Sequence, residues 1–368
     1  MIKVLAVADP AVLAYADKKL GILDNFGEEV VFDIAPWEKY YATMTDVFAG
    51  KAYYDIIMVA GHLWKRDFVE KGYLAPIDFE DEDILPVIAR EMYYNGKAYL
   101  SPSFCDGHMI VYRKSEFGKI PGFAHRDVIT PSEYVDLIVA AANVTDMAPL
   151  AMKAHPSEIF TDALPFLRMN GQDVYNTETQ KAECHDAGMV IGLETYCALK
   201  QLAIPGTSNY GNEEIAQVLR NRQAASAVTW SGQLGVVFAD GCVDRDDLGF
   251  ATFSTAWNVT WSFAVSAKST HQEKANELLR YLRSPEVDAL AGACSGAPVR
   301  RQTYLKGLDK YPWYPCQLKM IENAIPLPDI ALANEKNAYL YGEIAQAFAG
   351  TKTVAQALRD AQDAINKI

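Results

Sequence analysis

The stretch YDIIMVAGHLWKRDFVEKG (Tyr54–Gly72) decides how this chain is read. Ile56-Ile57-Met58-Val59 is a short, unbroken apolar run, the pattern of a strand buried on both faces of a sheet. Gly61-His62-Leu63-Trp64 reads as a loop beyond it, and a helix then runs to Lys71 and stops at Gly72. The same alternation occurs twice upstream. Ile2–Ala8 reads as a strand ending at Asp9-Pro10, followed by a helix over Ala11–Leu20 that Gly21 closes. Val30–Ile34 is a second strand, ending in Ala35-Pro36-Trp37. The helix Glu38–Ala49 follows, with apolar residues at 41, 44, 47 and 48 and Gly50 as its stop. Three strand–helix units in succession predict a parallel sheet. Ligands of such sheets sit beyond the C-terminal strand ends, which here are Asp9, Trp37 and the His62/Trp64 loop.

The chain has 368 residues, half of them hydrophobic and 22% charged, enough for a large core and two domains. Its formal net charge of -13 gives no basic footprint, so nucleic acid is not an expected partner. No apolar stretch approaches the roughly 20 residues of a membrane helix. Only Lys3 precedes the first apolar run, so the N-terminus does not read as a secretory signal. The six cysteines show neither CxxC nor zinc-finger spacing and read as buried free thiols, with a disulfide left open. GxSxG, Walker A, HExxH and a strand-following GxGxxG are absent from the sequence, and no cofactor or metal is expected. The acidic run Phe79–Asp83 lacks the ligand order of a calcium loop and reads as a solvated loop.

SFCDGHMIVYRK (Ser103–Lys114) sets a thiol, a carboxylate and an imidazole before an apolar strand. In a strand, residues three apart point to opposite faces, so Cys105 and His108 do not pair as a catalyst, whereas Asp106 and His108 share a face. Gly107 is expected to allow a bend. The middle of the chain reads as helices over Pro131–Ala142 (Thr130 as N-cap), Ser157–Asn170, Lys181–Ala203 and Glu213–Asn221. Strands are read at Ala225–Thr229 and Trp261–Ser266, and helices at His271–Leu282, Asn334–Ala349 and Val354–Asn366. Trp37, Trp64, Trp230 and Trp257 all fall where a strand stops, with Asp9, His62, Asp106 and Asn258 near them in sequence. A flat indole stacks on the apolar face of a sugar ring while carboxylates, amides and imidazoles bond its hydroxyls.

Several segments resemble, in order, the extracellular solute-binding proteins of ABC sugar importers, the maltose-binding-protein-like group. They are YDIIMVAGHLWKRDFVEKGYLAPID (Tyr54–Asp78), NGKAYLSPSFCDGHMIVYRKSEF (Asn95–Phe117), AASAVTWSGQLG (Ala224–Gly235), WSFAVSAKSTHQEKANELLRYLRSPE (Trp261–Glu286), GAPVRRQTY (Gly296–Tyr304) and the tail EIAQAFAGTKTVAQALRDAQDAI. The resemblance implies an α/β, two-lobed type II periplasmic-binding-protein fold. One lobe would hold 1–106 plus 263–298 and the other 110–259 plus 303–368, with hinges near 106–110, 259–263 and 298–303. It implies a monomeric, extracytoplasmic receptor that closes on a small neutral solute, a mono- or oligosaccharide, and delivers it to ABC permease transmembrane subunits. The implied ligand positions are Asp9, Trp37, His62, Trp64, Asp106, His108, Trp230, Ser231, Trp257 and Asn258, with His155 and Tyr341 from the second lobe. Asp106 ranks first among them. A polyamine, thiamine, a metal chelate or a phosphorylated polyol are the alternative solutes, and a cytosolic sensor or an enzyme on the same lobes is the alternative class.

Overall fold

In a computed structural model of the protein, residues 1–80 and 82–368 are described; Asp81, within the acidic run, lies outside them. The chain divides into two compact units, Met1–Asp106 with Val259–Tyr314 and Gly107–Asn258 with Pro315–Ile368. Residues 303–314, expected with the second lobe, therefore group with the first unit.

The first unit is built from the strand–helix repeats. Strand β1 (Ile2–Val7) leads into helix α1 (Pro10–Ala16), β2 (Val30–Ala35) into α2 (Trp37–Phe48), and β3 (Ile56–Ala60) into α3 (Gly61–Glu70). Both β2 and β3 pair with β1 in parallel. Every residue of β3 is buried, which explains its unbroken apolar run. Each such side chain contributes about 1.5–3 kcal/mol on leaving water. Tyr40 fastens α2 beneath the sheet: its buried hydroxyl donates to the Met58 carbonyl at 2.7 Å and accepts the Met58 N–H at 3.0 Å. Glu80 and Glu82 of the acidic run are exposed, as expected of a solvated loop. Phe79 is buried and Asp83 reaches Arg300 at 3.3 Å.

The chain leaves the first unit within the buried strand β4 (Ser101–Arg113). The second unit then adds α4 (Pro131–Ala142), α5 (Ile159–Leu167), α6 (Ala187–Ala198) and α7 (Asn212–Arg220), with strands β5 (Ser226–Trp230) and β6 (Leu248–Phe253). Both β5 and β6 lie antiparallel to β4. A reciprocal Thr130–Glu133 capping box with Pro131 at the first helical position starts α4. The long helix expected over Lys181–Ala203 is shorter, because Asp186 caps α6 and a 3-10 turn ends it. Gly107 lies inside the continuous strand β4, outside the positive-φ region. It supplies room: a Cβ there would collide with Met320 Sδ and with the Trp257 carbonyl. Finally β7 (Asn258–Ser266) returns to the first unit, antiparallel to β3.

Among the described residues no disulfide links any of the six cysteines. Cys105, in the first unit, and Cys184 and Cys316, in the second, are buried.

Candidate functional site

The two units carry different arrangements of the expected residues. In the first, Trp37 stacks on Trp64 at 5.9 Å and 26° and meets Trp261 edge-on at 5.8 Å, while Tyr41 adds a ring 5.7 Å from Trp64. The sequence placed Trp37, His62 and Trp64 in loops. All three sit in the first turns of helices instead, because α2 and α3 begin directly at the strand ends. That geometry separates their roles. Trp37 is 46% exposed and Trp64 only 2%, so Trp37 is the open ring and Trp64 its backing. His62 Nδ1 is buried without a hydrogen-bond partner, and burial pushes its imidazole down to about 3, so the ring is neutral.

Asp9 caps α1 by accepting the Ala11 N–H at 2.8 Å. Burial, and then the charge of Asp106, raise its carboxyl well above the usual range.

In the second unit the register of β4 and β5 sets His108 directly opposite Trp230. Their rings therefore meet edge to face at 4.5 Å. Trp257 closes the group, 5.3 Å from His108 and 5.1 Å from Trp230. The Gly107 N–H donates to Ser231 Oγ at 3.3 Å. Four residues that sequence reasoning missed complete the arrangement. Lys153 Nζ lies 3.0 Å from His108 Nε2, 3.3 Å from Glu158 Oε2 and 4.4 Å from the centre of the Trp230 ring. Trp230 Nε1–H donates to the same Glu158 oxygen at 2.9 Å. On the far side of His108, Asp162 Oδ1 is 3.8 Å from Nδ1, and Tyr196 O–H donates to Asp162 Oδ2 at 2.8 Å.

Burial pushes the Asp162 carboxyl up to about 7, partly offset by Lys153. Burial, then the Lys153 ammonium, hold His108 well below its ordinary value. The imidazole is therefore neutral, and the Lys153 ammonium is matched by Glu158. Trp257 Nε1 and both amide atoms of Gln317 are buried without a hydrogen-bond partner among the described residues.

Asn258 is buried at the start of β7. Tyr341 packs edge-on against Phe160 at 5.3 Å, and burial followed by the Glu158 charge raises its phenol, which places it beside the cluster. His155 is exposed and turns to Ser157, 2.7 Å away. Among the described residues no group of three or more His, Cys, Asp and Glu converges as a metal site. No helix among them is long and apolar enough to cross a membrane.

Residues 11–289 match the family model of bacterial extracellular solute-binding proteins. The chain belongs to that family. It is a solute-binding protein rather than an enzyme, and membership implies an extracytoplasmic location. Solved structures similar to it share the two-lobed type II periplasmic-binding-protein fold. Maltose-bound MalE3 of T. maritima is 20% identical, with a TM-score of 0.86 over 99% of each chain. An ABC transporter solute-binding protein of Thermotoga lettingae, bound with α-D-tagatose, is 17% identical, with a TM-score of 0.86 over 100% of this chain and 98% of that one. A third, from Agrobacterium vitis with bound D-mannitol, is 18% identical, with a TM-score of 0.82 over 100% of this chain and 97% of that one. No curated protein matches the sequence of this solute-binding protein.

Proposed function

We propose that this solute-binding protein captures a neutral carbohydrate or polyol and delivers it to the permease of an ABC importer. The observation that carries the reading is the second-unit cluster: an indole held between His108, Trp257 and Lys153, with the lysine charge compensated by Glu158. An indole offers its π face to the C–H face of a sugar ring, and fixed polar groups at its edge select hydroxyl geometry. The charge balance weighs against the alternative solutes. A polyamine needs uncompensated carboxylates, and a phosphorylated polyol needs a free cationic fork. In similar folds the solutes seen are maltose, α-D-tagatose and D-mannitol, all neutral.

The test is a thermal-shift screen followed by calorimetry, with neutral mono- and oligosaccharides, polyols, polyamines and sugar phosphates. Stabilisation by a neutral carbohydrate or polyol is expected, since a ligand of the native state raises the melting temperature by mass action. A response to polyamines or sugar phosphates alone would overturn the reading.

A further inference from the structure

A lysine ammonium removed from water costs several kcal/mol unless its surroundings match it. Lys153 is wholly buried, and the groups round it belong to the cluster just described. It meets Trp230 twice. Nζ lies 4.4 Å from the ring centre, covering one face of the indole. It also lies 3.3 Å from Glu158 Oε2, the oxygen that accepts the indole N–H at 2.9 Å. Face and edge of Trp230 are thus both referred to one ammonium.

Lys153 orders His108 as well. An ammonium only donates, so His108 Nε2, 3.0 Å away, is the acceptor and the neutral ring carries its proton on Nδ1. That proton faces Asp162 Oδ1 at 3.8 Å, an atom otherwise without a hydrogen-bond partner, while Tyr196 holds the other carboxylate oxygen at 2.8 Å. The result is one polar chain from Tyr196 on α6, through Asp162 on α5, His108 on β4 and Lys153, to Glu158 and the indole of Trp230.

We infer that Lys153 is a positioning residue for solute recognition, which fixes the orientation of Trp230 and the tautomer of His108 without touching the solute. The inference rests on the carbohydrate reading above, so its test has one arm that needs no solute. In the solute-free full chain, histidine 15N NMR should show His108 with a bare Nε2 and a protonated Nδ1. In Lys153→Met the proton should move to, or be shared with, Nε2, and Trp230 emission should shift. An unchanged His108 spectrum in that variant would overturn the inference.

The second arm is a double-mutant cycle with Trp230→Phe, read as calorimetric affinity for maltose, α-D-tagatose and D-mannitol as probes. Lys153→Met should weaken binding about 10-fold or more with Trp230 present and less than about 2-fold in the Trp230→Phe background. Equal losses in both backgrounds would show that Lys153 does not act through Trp230 and would overturn the inference. If none of the probes, nor any other carbohydrate screened, binds the wild type, the carbohydrate reading fails while the NMR arm still decides the role of Lys153. Should Lys153→Met not fold, Lys153→Gln keeps a donor without the charge: His108 should then retain its Nδ1–H tautomer, and the double-mutant cycle with Trp230→Phe decides the inference.

Discussion

The two units use tryptophan in opposite ways. In the first, Trp37 is an open ring resting on other rings, with no charged group among its ring contacts in the described residues. In the second, Trp230 is tied at its N–H, covered on one face by an ammonium and bordered by His108 and Trp257. The first arrangement is held by packing alone and leaves its outer ring adjustable. The second is fixed by hydrogen bonds before a solute arrives, and prior ordering is what raises affinity per contact.

That contrast can be broken by substitution. The largest expected effect is on stability: Trp64→Ala, which empties a core position, should cost about 3–5 kcal/mol in urea unfolding. A loss under about 1 kcal/mol would return Trp64 to the role of platform and undo the distinction drawn from Trp37. Next comes Trp230→Ala, expected to weaken carbohydrate binding about 100-fold, near 2.8 kcal/mol, in calorimetry. An affinity within about 3-fold of wild type would remove the second-unit cluster from the site. Trp37→Ala should weaken binding only about 3- to 10-fold and leave the melting temperature unchanged, as befits an exposed ring. If Trp37 proves the costlier of the two, preorganisation is not what separates them.

The smallest effect sharpens the charged side of the comparison. Burial raises Asp162 from an ordinary 3.8 to about 7 in the folded state. A carboxyl shifted upward stabilises the fold fully below its unfolded value, and that contribution is lost as pH rises through about 7. Asp162→Asn should therefore gain stability relative to wild type as pH is raised from 4 to 7. Parallel stability curves in that window would show that Asp162 is not held this way.

The alternation of strands and helices in the first unit was legible because apolar runs and glycine stops are local signals. The loop positions of Trp37, His62 and Trp64 were misjudged for a local reason too. No Ser, Thr, Asp or Asn caps either helix: Pro36 and Ala60 stand at those positions, so the boundaries carried no mark. Lys153, Glu158, Asp162 and Tyr196 were missed because only tertiary packing brings them to His108, 45 positions away in the case of Lys153. A signal was nevertheless present. Lys153 closes the apolar run Ala148–Met152, and Asp162 is the single charge in the wholly buried helix IFTDALPFL. An ionisable residue inside an apolar run asks for a partner, although sequence does not say which one.

The buried thiols outside any disulfide carry a practical consequence. A thiol reacts as its thiolate, and burial pushes the Cys184 thiol up to about 12 and Cys316 higher still. Such groups resist alkylation until their surroundings open. Cys105 reports on the first unit, and Cys184 and Cys316 on the second. Alkylation rates resolved by mass spectrometry would thus act as native clocks, timing the opening of each unit separately and showing which of them a bound solute slows.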